Sequence, residues 1–276
     1  MSLIKSALST VLRSATSPIA IGGMAAVGVV KAVQGFKSPN AKLGSTRNPY
    51  PLYDGHKPTS TPQKLMVAAG SALLSVSDPT NPDHIAVLGD ITSIPYLSRV
   101  RDMMLRDPTG RQILKERPRI HFTPEEWEGL GKMPSNTFGY AYYNYMESQN
   151  ISWETRTKVQ YIDDEELAYI MTRHREIHDF YHTILGLSIS VSDELTLKWF
   201  EYTQTGLPVG LLAGTFGSLL LQPKQKLAFY SVYMPWAIKC AKNAKPLFNV
   251  YWEKQWDKPI EVLRSLLNLA VKPDLK

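Results

Sequence analysis

From Thr61 to the C-terminus, proline, glycine and short polar residues fall at the edges of apolar stretches that recur every three or four residues. That spacing belongs to helices, and the punctuation marks where each one begins and ends. Thr61-Pro62 supplies an N-cap followed by a proline at the first helical position. Leu65, Met66, Ala69, Leu73 and Val76 then repeat at helical spacing until Asp78-Pro79 stops the helix. Further helices are predicted at about 94–105, 108–116, 124–129 and 137–149, with Thr123 and Glu126 forming a capping box ahead of the third. The acidic run Asp163-Asp164-Glu165-Glu166 favours the positive end of a helix dipole and opens a long helix over 164–185, closed by Gly186. A second helix starts near Ser192, others follow at 209–221 and 224–242, and a closing pair lies around 248–256 and 260–270. Strand-like alternation is hard to find and no repeat is visible. With 276 residues the chain can bury one core. The expected fold is all-α, a single-domain multi-helix bundle.

The net charge of +6 is not spread over that bundle. Before Asp54 stand six basic residues, Lys5, Arg13, Lys31, Lys37, Lys42 and Arg47, and no acidic one; beyond it the remaining 25 Lys+Arg meet 25 Asp+Glu. A formally neutral body argues against nucleic-acid binding. The front of the chain, rich in Ser, Thr and Ala, has the composition of an organelle-import presequence. Residues 1–47 are therefore expected to be a mitochondrial targeting leader and 48–276 the folded domain. A membrane segment over the uncharged stretch 14–30 ranks second, because that stretch is short for a span and diluted by Pro18, Gly22, Gly23 and Gly28. One cysteine, Cys240, rules out a disulfide framework and any multi-cysteine metal site, and reads as a small buried residue. The apolar stretch 209–221 is too short to cross a bilayer and reads as core before the lip of a greasy cavity. The cluster Phe229, Tyr230, Tyr233, Trp236, Tyr251, Trp252 and Trp256 stays open between core and membrane interface.

The chemistry is concentrated in His174, His178, Asp179, His182 and Glu194. His178 and His182 stand four apart on one helix, so two imidazoles can converge on one cation. Asp179 lies about 100° round from His178, within the same third of the circumference. Glu194, in the first turn of the next helix, returns toward the histidines if the two helices are antiparallel. A bare pair of histidines at this spacing is more often an ordinary surface or core pair; the adjoining Asp and the following Glu tip the balance toward a metal. The pattern differs from the His-Glu-x-x-His of zinc proteases, because Asp179 occupies the general-base position. A His-Asp doublet also occurs in metal phosphohydrolases, but their further histidine and aspartate framework is not evident. His174, one turn earlier, reads as a plain surface residue before a partner that supports the ligands from behind.

His178-Asp179-x-x-His182, eleven residues, then Glu194, with Asp163 to Tyr169 before it, Lys198-Trp199-Phe200-Glu201 and Gln204-Thr205-Gly206-Leu207-Pro208 after it, and Arg117-Pro118-Arg119-Ile120 upstream, resembles the coenzyme Q (ubiquinone) biosynthesis protein 4 family over about 50–268. The resemblance implies a mitochondrial protein, peripheral on the matrix side of the inner membrane. It implies membership of a multiprotein complex with methyltransferases, hydroxylases and a lipid-binding subunit. It also implies a divalent metal, zinc before iron or another ion, on His178, Asp179, His182 and Glu194, which would then be the catalytic residues. The implied reaction is an oxidative decarboxylation that replaces the C1 carboxylate of a polyprenylated 4-hydroxybenzoate-derived precursor by a hydroxyl. An apolar lipid-binding cavity would hold the prenyl tail. The alternative is a non-enzymatic lipid-binding scaffold whose metal is structural. A homodimer fits a membrane-surface scaffold, although no heptad or patch marks its interface.

Overall fold

The structure, a computed structural model, describes residues 50–77 and 81–274. The expected leader, the uncharged stretch 14–30 and the stop at Asp78-Pro79 lie outside the described residues. Among these the fold is all-helical, with no strand and one isolated bridge between Thr137 and Pro259. In chain order the helices are α1 (Thr61–Ser77), α2 (Pro82–Leu105), α3 (Pro108–Glu116), α4 (Pro124–Gly131), α5 (Phe138–Gln149), α6 (Glu165–Leu185), α7 (Val191–Thr205), α8 (Pro208–Phe216), α9 (Pro223–Ala228), α10 (Met234–Asn243) and α11 (Ile260–Leu266).

Most boundaries follow from capping chemistry. Asp107 accepts hydrogen bonds from the Thr109 and Gly110 amides to open α3, Thr123 and Glu126 cap α4 reciprocally, and Asp164 and Ser190 open α6 and α7. Gly186 ends α6 at φ +68°, a conformation that costs other residues a steric clash, and donates its N–H back into the last turn. α2 begins earlier than its periodicity suggests: Asn81 caps it at Pro82, and the helix runs through Pro95. The expected helix around 248–256 is only two 3₁₀ turns, Leu247–Asn249 and Trp252–Lys254, with the non-helical backbone of Val250 and Tyr251 between them. Between α9 and α10 the helix widens into a π turn over Phe229–Tyr233, where Met234 N–H reaches Phe229 O. Pro235 follows at once and has no N–H of its own to offer the preceding turn.

α6 is the hub. Its apolar residues Ile170, Ile177, Phe180, Tyr181 and Ile184 are fully buried, and Phe180 meets Phe138 and Tyr142 of α5 together with Trp252 and Trp256. That settles Trp252 as core; Phe229 is also buried, and the rest of the aromatic cluster is half-buried. Charged residues of α6 pair outward to different segments: Arg173 to Glu253 at 2.7 Å, Arg175 to Asp90 of α2 at 2.6 Å, and Glu176 to Arg119 at 2.7 Å. Each buried charge thus has a partner, which is the condition for keeping it away from water. α8 packs on α7 and α2 and is half-buried rather than fully core. α1 buries the face opposite to its larger apolar residues. Lys64, Ala68, Ser71 and Ala72 face inward, with Lys64 bonded to Asp163 at 2.6 Å, whereas Met66, Leu73 and Leu74 are exposed. Cys240 is buried, as expected.

Candidate metal centre

The turn at Gly186 sends α7 back along α6, so the one-face series His174, His178, His182 meets Glu194, Lys198, Glu201, a series at i, i+4 and i+7. His178 Nε2 and His182 Nε2 are 3.3 Å apart. Glu194 lies across them, with Oε1 at 3.1 Å from His182 Nε2 and Oε2 at 3.6 Å from His178 Nε2. One ligand atom from each of the three residues lies within 4.8 Å of the other two. A tetrahedral ion bound at zinc–nitrogen distances has ligand-to-ligand edges of about 3.3 Å, so these three donors already stand at the spacing such an ion requires. His182 is 1% exposed, whereas Glu194 keeps 36% of its side chain open, so the group has a buried floor and a wet mouth.

Behind His178 stands a carboxylate that the sequence reading left unassigned. Glu201 is buried and accepts from His178 Nδ1 at 2.8 Å, while Lys198 Nζ donates to its other oxygen at 2.9 Å. Lys198 Nζ also approaches Nδ1 to 3.3 Å. An ammonium and a carboxylate both beside Nδ1 leave one consistent reading at 2.8 Å: Nδ1 carries the proton and gives it to Glu201, because two lone pairs would repel. In the neutral ring Nε2 is then the lone-pair nitrogen, the one facing His182 and Glu194. This carboxylate–histidine arrangement is the usual support of a metal-bound imidazole. The signal for it was in the sequence: Glu201 follows Glu194 by seven residues, two turns on the same face.

Burial and the Lys198 ammonium push His178 down, but Glu201 and Glu194 outweigh them and lift it to about 9. Burial alone would raise Glu194 and Glu201, yet hydrogen bonds and charges from His178 and from His182 or Lys198 hold both well below the usual carboxylate range. Lys198 is raised: burial opposes its charge, and Glu201 and Glu194 more than compensate. The donor set is therefore rich in carboxylate charge that a divalent cation would neutralise.

Asp179 is not brought into the group of three. Its Oδ2 takes a two-pronged hydrogen bond from Arg156, at 2.6 and 3.1 Å, and Arg156 is in turn bonded to Tyr142 Oη and Ile120 O. His174 is not a surface residue: it is 5% exposed and stacked on Phe248 at 5.9 Å, where burial pushes it down to about 4. Tyr145 of α5 stacks on His182, ring centroids 5.6 Å apart, and desolvation together with Asp179 and Glu194 raises its phenol far above the ordinary value.

The family model for coenzyme Q (ubiquinone) biosynthesis protein Coq4 matches residues 53–273. The ubiquinone biosynthesis protein COQ4, mitochondrial, of Coprinopsis cinerea is 42% identical over 226 residues, spanning 82% of this chain and 78% of that protein. The Xenopus tropicalis COQ4 homolog, mitochondrial, is 41% identical over 229 residues, 83% and 81% of the two chains. Among solved structures, a Nostoc punctiforme protein named for ubiquinone biosynthesis superposes with a TM-score of 0.59 at 21% identity, over 76% of this chain and 98% of that one. At that identity the likeness speaks for the fold.

Proposed function

The chain belongs to the coenzyme Q (ubiquinone) biosynthesis protein Coq4 family, and from that premise we propose that it acts in mitochondrial ubiquinone formation, the process and compartment for which its relatives are named. Residues 1–47 are the import leader, a role supported by their basic, acid-free composition, and 48–276 are the working domain. No helix among the described residues is long and apolar enough to cross a membrane. The place proposed is peripheral, on the matrix side of the inner membrane, in a complex with the methyltransferases, hydroxylases and lipid-binding subunit of the pathway, with a homodimer as the unit.

The reaction proposed is replacement of the C1 carboxylate of a polyprenylated hydroxybenzoate precursor by a hydroxyl. The carboxylate leaves as carbon dioxide, a water oxygen takes its place on C1 as the hydroxyl, and the two electrons and two protons released pass to dioxygen, which becomes hydrogen peroxide. His178, His182 and Glu194 would hold a divalent ion, zinc or alternatively iron, which when bound supplies a Lewis-acid centre for the carboxylate and phenol oxygens. Glu201 fixes the His178 ring and Lys198 balances Glu201. Asp179 stays beside the ligands under the grip of Arg156, and joins them only when that pair opens. The exposed side of Glu194 is the mouth where the ring acid arrives, and the apolar helices around it receive the prenyl tail.

The observation that carries this reading is the convergence of three donors with a buried carboxylate holding one of them from behind. The exposed apolar residues Met66, Leu73 and Leu74 on α1 favour a second reading, a scaffold that docks membrane or partners while the metal braces α6 against α7. Cells lacking the protein, rescued with wild type, His182→Ala or Glu194→Ala, separate the two. Mass spectrometry reads the ring intermediates and pull-down reads the complex. Accumulation of C1-carboxylated species with an intact complex supports catalysis; loss of the complex together with the product, or full rescue by the variants, leaves the scaffold.

A further inference from the structure

Tyr145 lies against the metal centre without belonging to its ligands. Its ring is nearly parallel to that of His182, at an interplanar angle of 18°. Its hydroxyl is buried and meets no hydrogen-bond partner among the described residues. A buried hydroxyl left in that condition is costly, and among the atoms so placed this one is on a ring stacked against a residue of the three-donor group. The neighbourhood holds carboxylates, but none of them accepts from this hydroxyl. Glu194 faces the two histidines, Asp179 is held by Arg156, and Asp193 takes Lys272 together with the Ser188 amide and hydroxyl. A phenol is a donor at neutral pH, and here its proton meets no acceptor among the described residues.

An anionic ligand approaching the same spot has the opposite need. It must come close to Glu194 and Asp179, both negative, and Arg156, the nearby cation, is committed to Asp179. A donor without an acceptor among the described residues, carried on a ring stacked against His182, offsets that repulsion. We propose that Tyr145 is a ligand-facing donor, its O–H hydrogen-bonding a carboxylate oxygen of the ring acid held at the metal centre. The assignment rests on the metal reading given above and extends it to a substrate contact on α5.

The test uses the full chain, stripped of metal and reloaded with cobalt(II), whose visible spectrum reports the ligands around the ion, and 4-hydroxybenzoate as the soluble ring acid. Tyr145→Phe is expected to take cobalt with wild-type affinity and, metal-free, to melt at the same or a higher temperature, since only an unpartnered hydroxyl is lost. It is expected to bind 4-hydroxybenzoate about ten-fold or more weakly, the loss for a hydrogen bond to a charged group, while phenol, which lacks the carboxylate, binds both proteins alike. Equal affinity for 4-hydroxybenzoate overturns the assignment. A lower melting temperature or weaker cobalt binding overturns it as well, because the hydroxyl would then be structural. If wild type takes cobalt but no 4-hydroxybenzoate, the Tyr145 assignment falls alone; if wild type takes no cobalt, it falls together with the metal reading.

Discussion

Replacing Glu201 by Gln keeps the shape of the side chain and removes its charge, so it isolates the support behind His178. In the native arrangement one carboxylate oxygen takes the Nδ1 proton at 2.8 Å and the other takes Lys198 at 2.9 Å. A carboxamide has one accepting end. If its oxygen serves His178, its NH₂ faces the Lys198 ammonium, donor against donor; if it serves Lys198, its NH₂ faces Nδ1 and drives the proton to Nε2, the atom that must be free to bind a cation. The first outcome leaves a buried ammonium without its counter-charge, a loss of about 3–5 kcal/mol in stability. The second costs metal affinity, by about 10- to 100-fold for partners of this kind, or about 1.4–2.7 kcal/mol. Zinc affinity by competition with a chromophoric chelator, together with thermal melting of the metal-free protein, reads both. Adding Lys198→Met to Glu201→Gln removes the stranded charge and frees the carboxamide oxygen for the Nδ1 proton, so it should restore stability and recover metal affinity lost to the other orientation. Zinc affinity and melting temperature both at the wild-type level in Glu201→Gln would refute the reasoning, since neither the orienting role of Glu201 nor its pairing with Lys198 would then matter.

Two further outcomes follow from neighbouring groups. Asp179→Asn weakens a mostly buried ion pair with Arg156 and should lower stability by about 3 kcal/mol, while metal analysis still finds one ion per chain, because His178, His182 and Glu194 remain; loss of the ion would show that Asp179 leaves Arg156 to ligate it. His174 is held down to about 4 by complete burial, against about 6.5 when unfolded. Its folded pKa is the lower one, so the unfolded chain takes up the proton first as pH falls. The contribution is complete above about pH 6.5 and is lost progressively toward pH 4, up to about 3 kcal/mol. His174→Phe keeps the stack on Phe248 and should flatten the stability profile in that window, and parallel denaturation curves for the two proteins would count against this.

What could be read from the residues alone was whatever is local. Caps and breakers act within four residues, so Asp107 with Pro108, the Thr123–Glu126 box and the Gly186 stop give α3, α4 and the end of α6 almost to the residue. Pro95 hid the front half of α2, because a proline reads as a break where the surrounding helix in fact absorbs it. The buried face of α1 is set by tertiary contacts that periodicity does not report: small residues allow α2 to come close, and Lys64 is drawn inward by Asp163, far away in sequence. In the site, the His178–His182–Glu194 convergence is a property of two consecutive helices and was legible. The Arg156–Asp179 pair, the stack of Tyr145 on His182 and the burial of His174 beneath Phe248 join distant segments, and no spacing rule reaches them.

The tight return at Gly186 bears on how the protein is made as well as on what it holds. Entropy lost on closing a loop grows with the logarithm of the chain enclosed, so α6 and α7 can bring their donors together early and cheaply. The partners that lock them, Glu253 on Arg173, Arg264 on the end of α6 and Lys272 on Asp193, come from the far C-terminus and must wait for long loops to close. An ion captured by the hairpin at that stage would act as a clasp on a half-built bundle, and its binding energy would become folding energy. The supply of metal during folding would then govern the yield of folded protein before any chemistry begins.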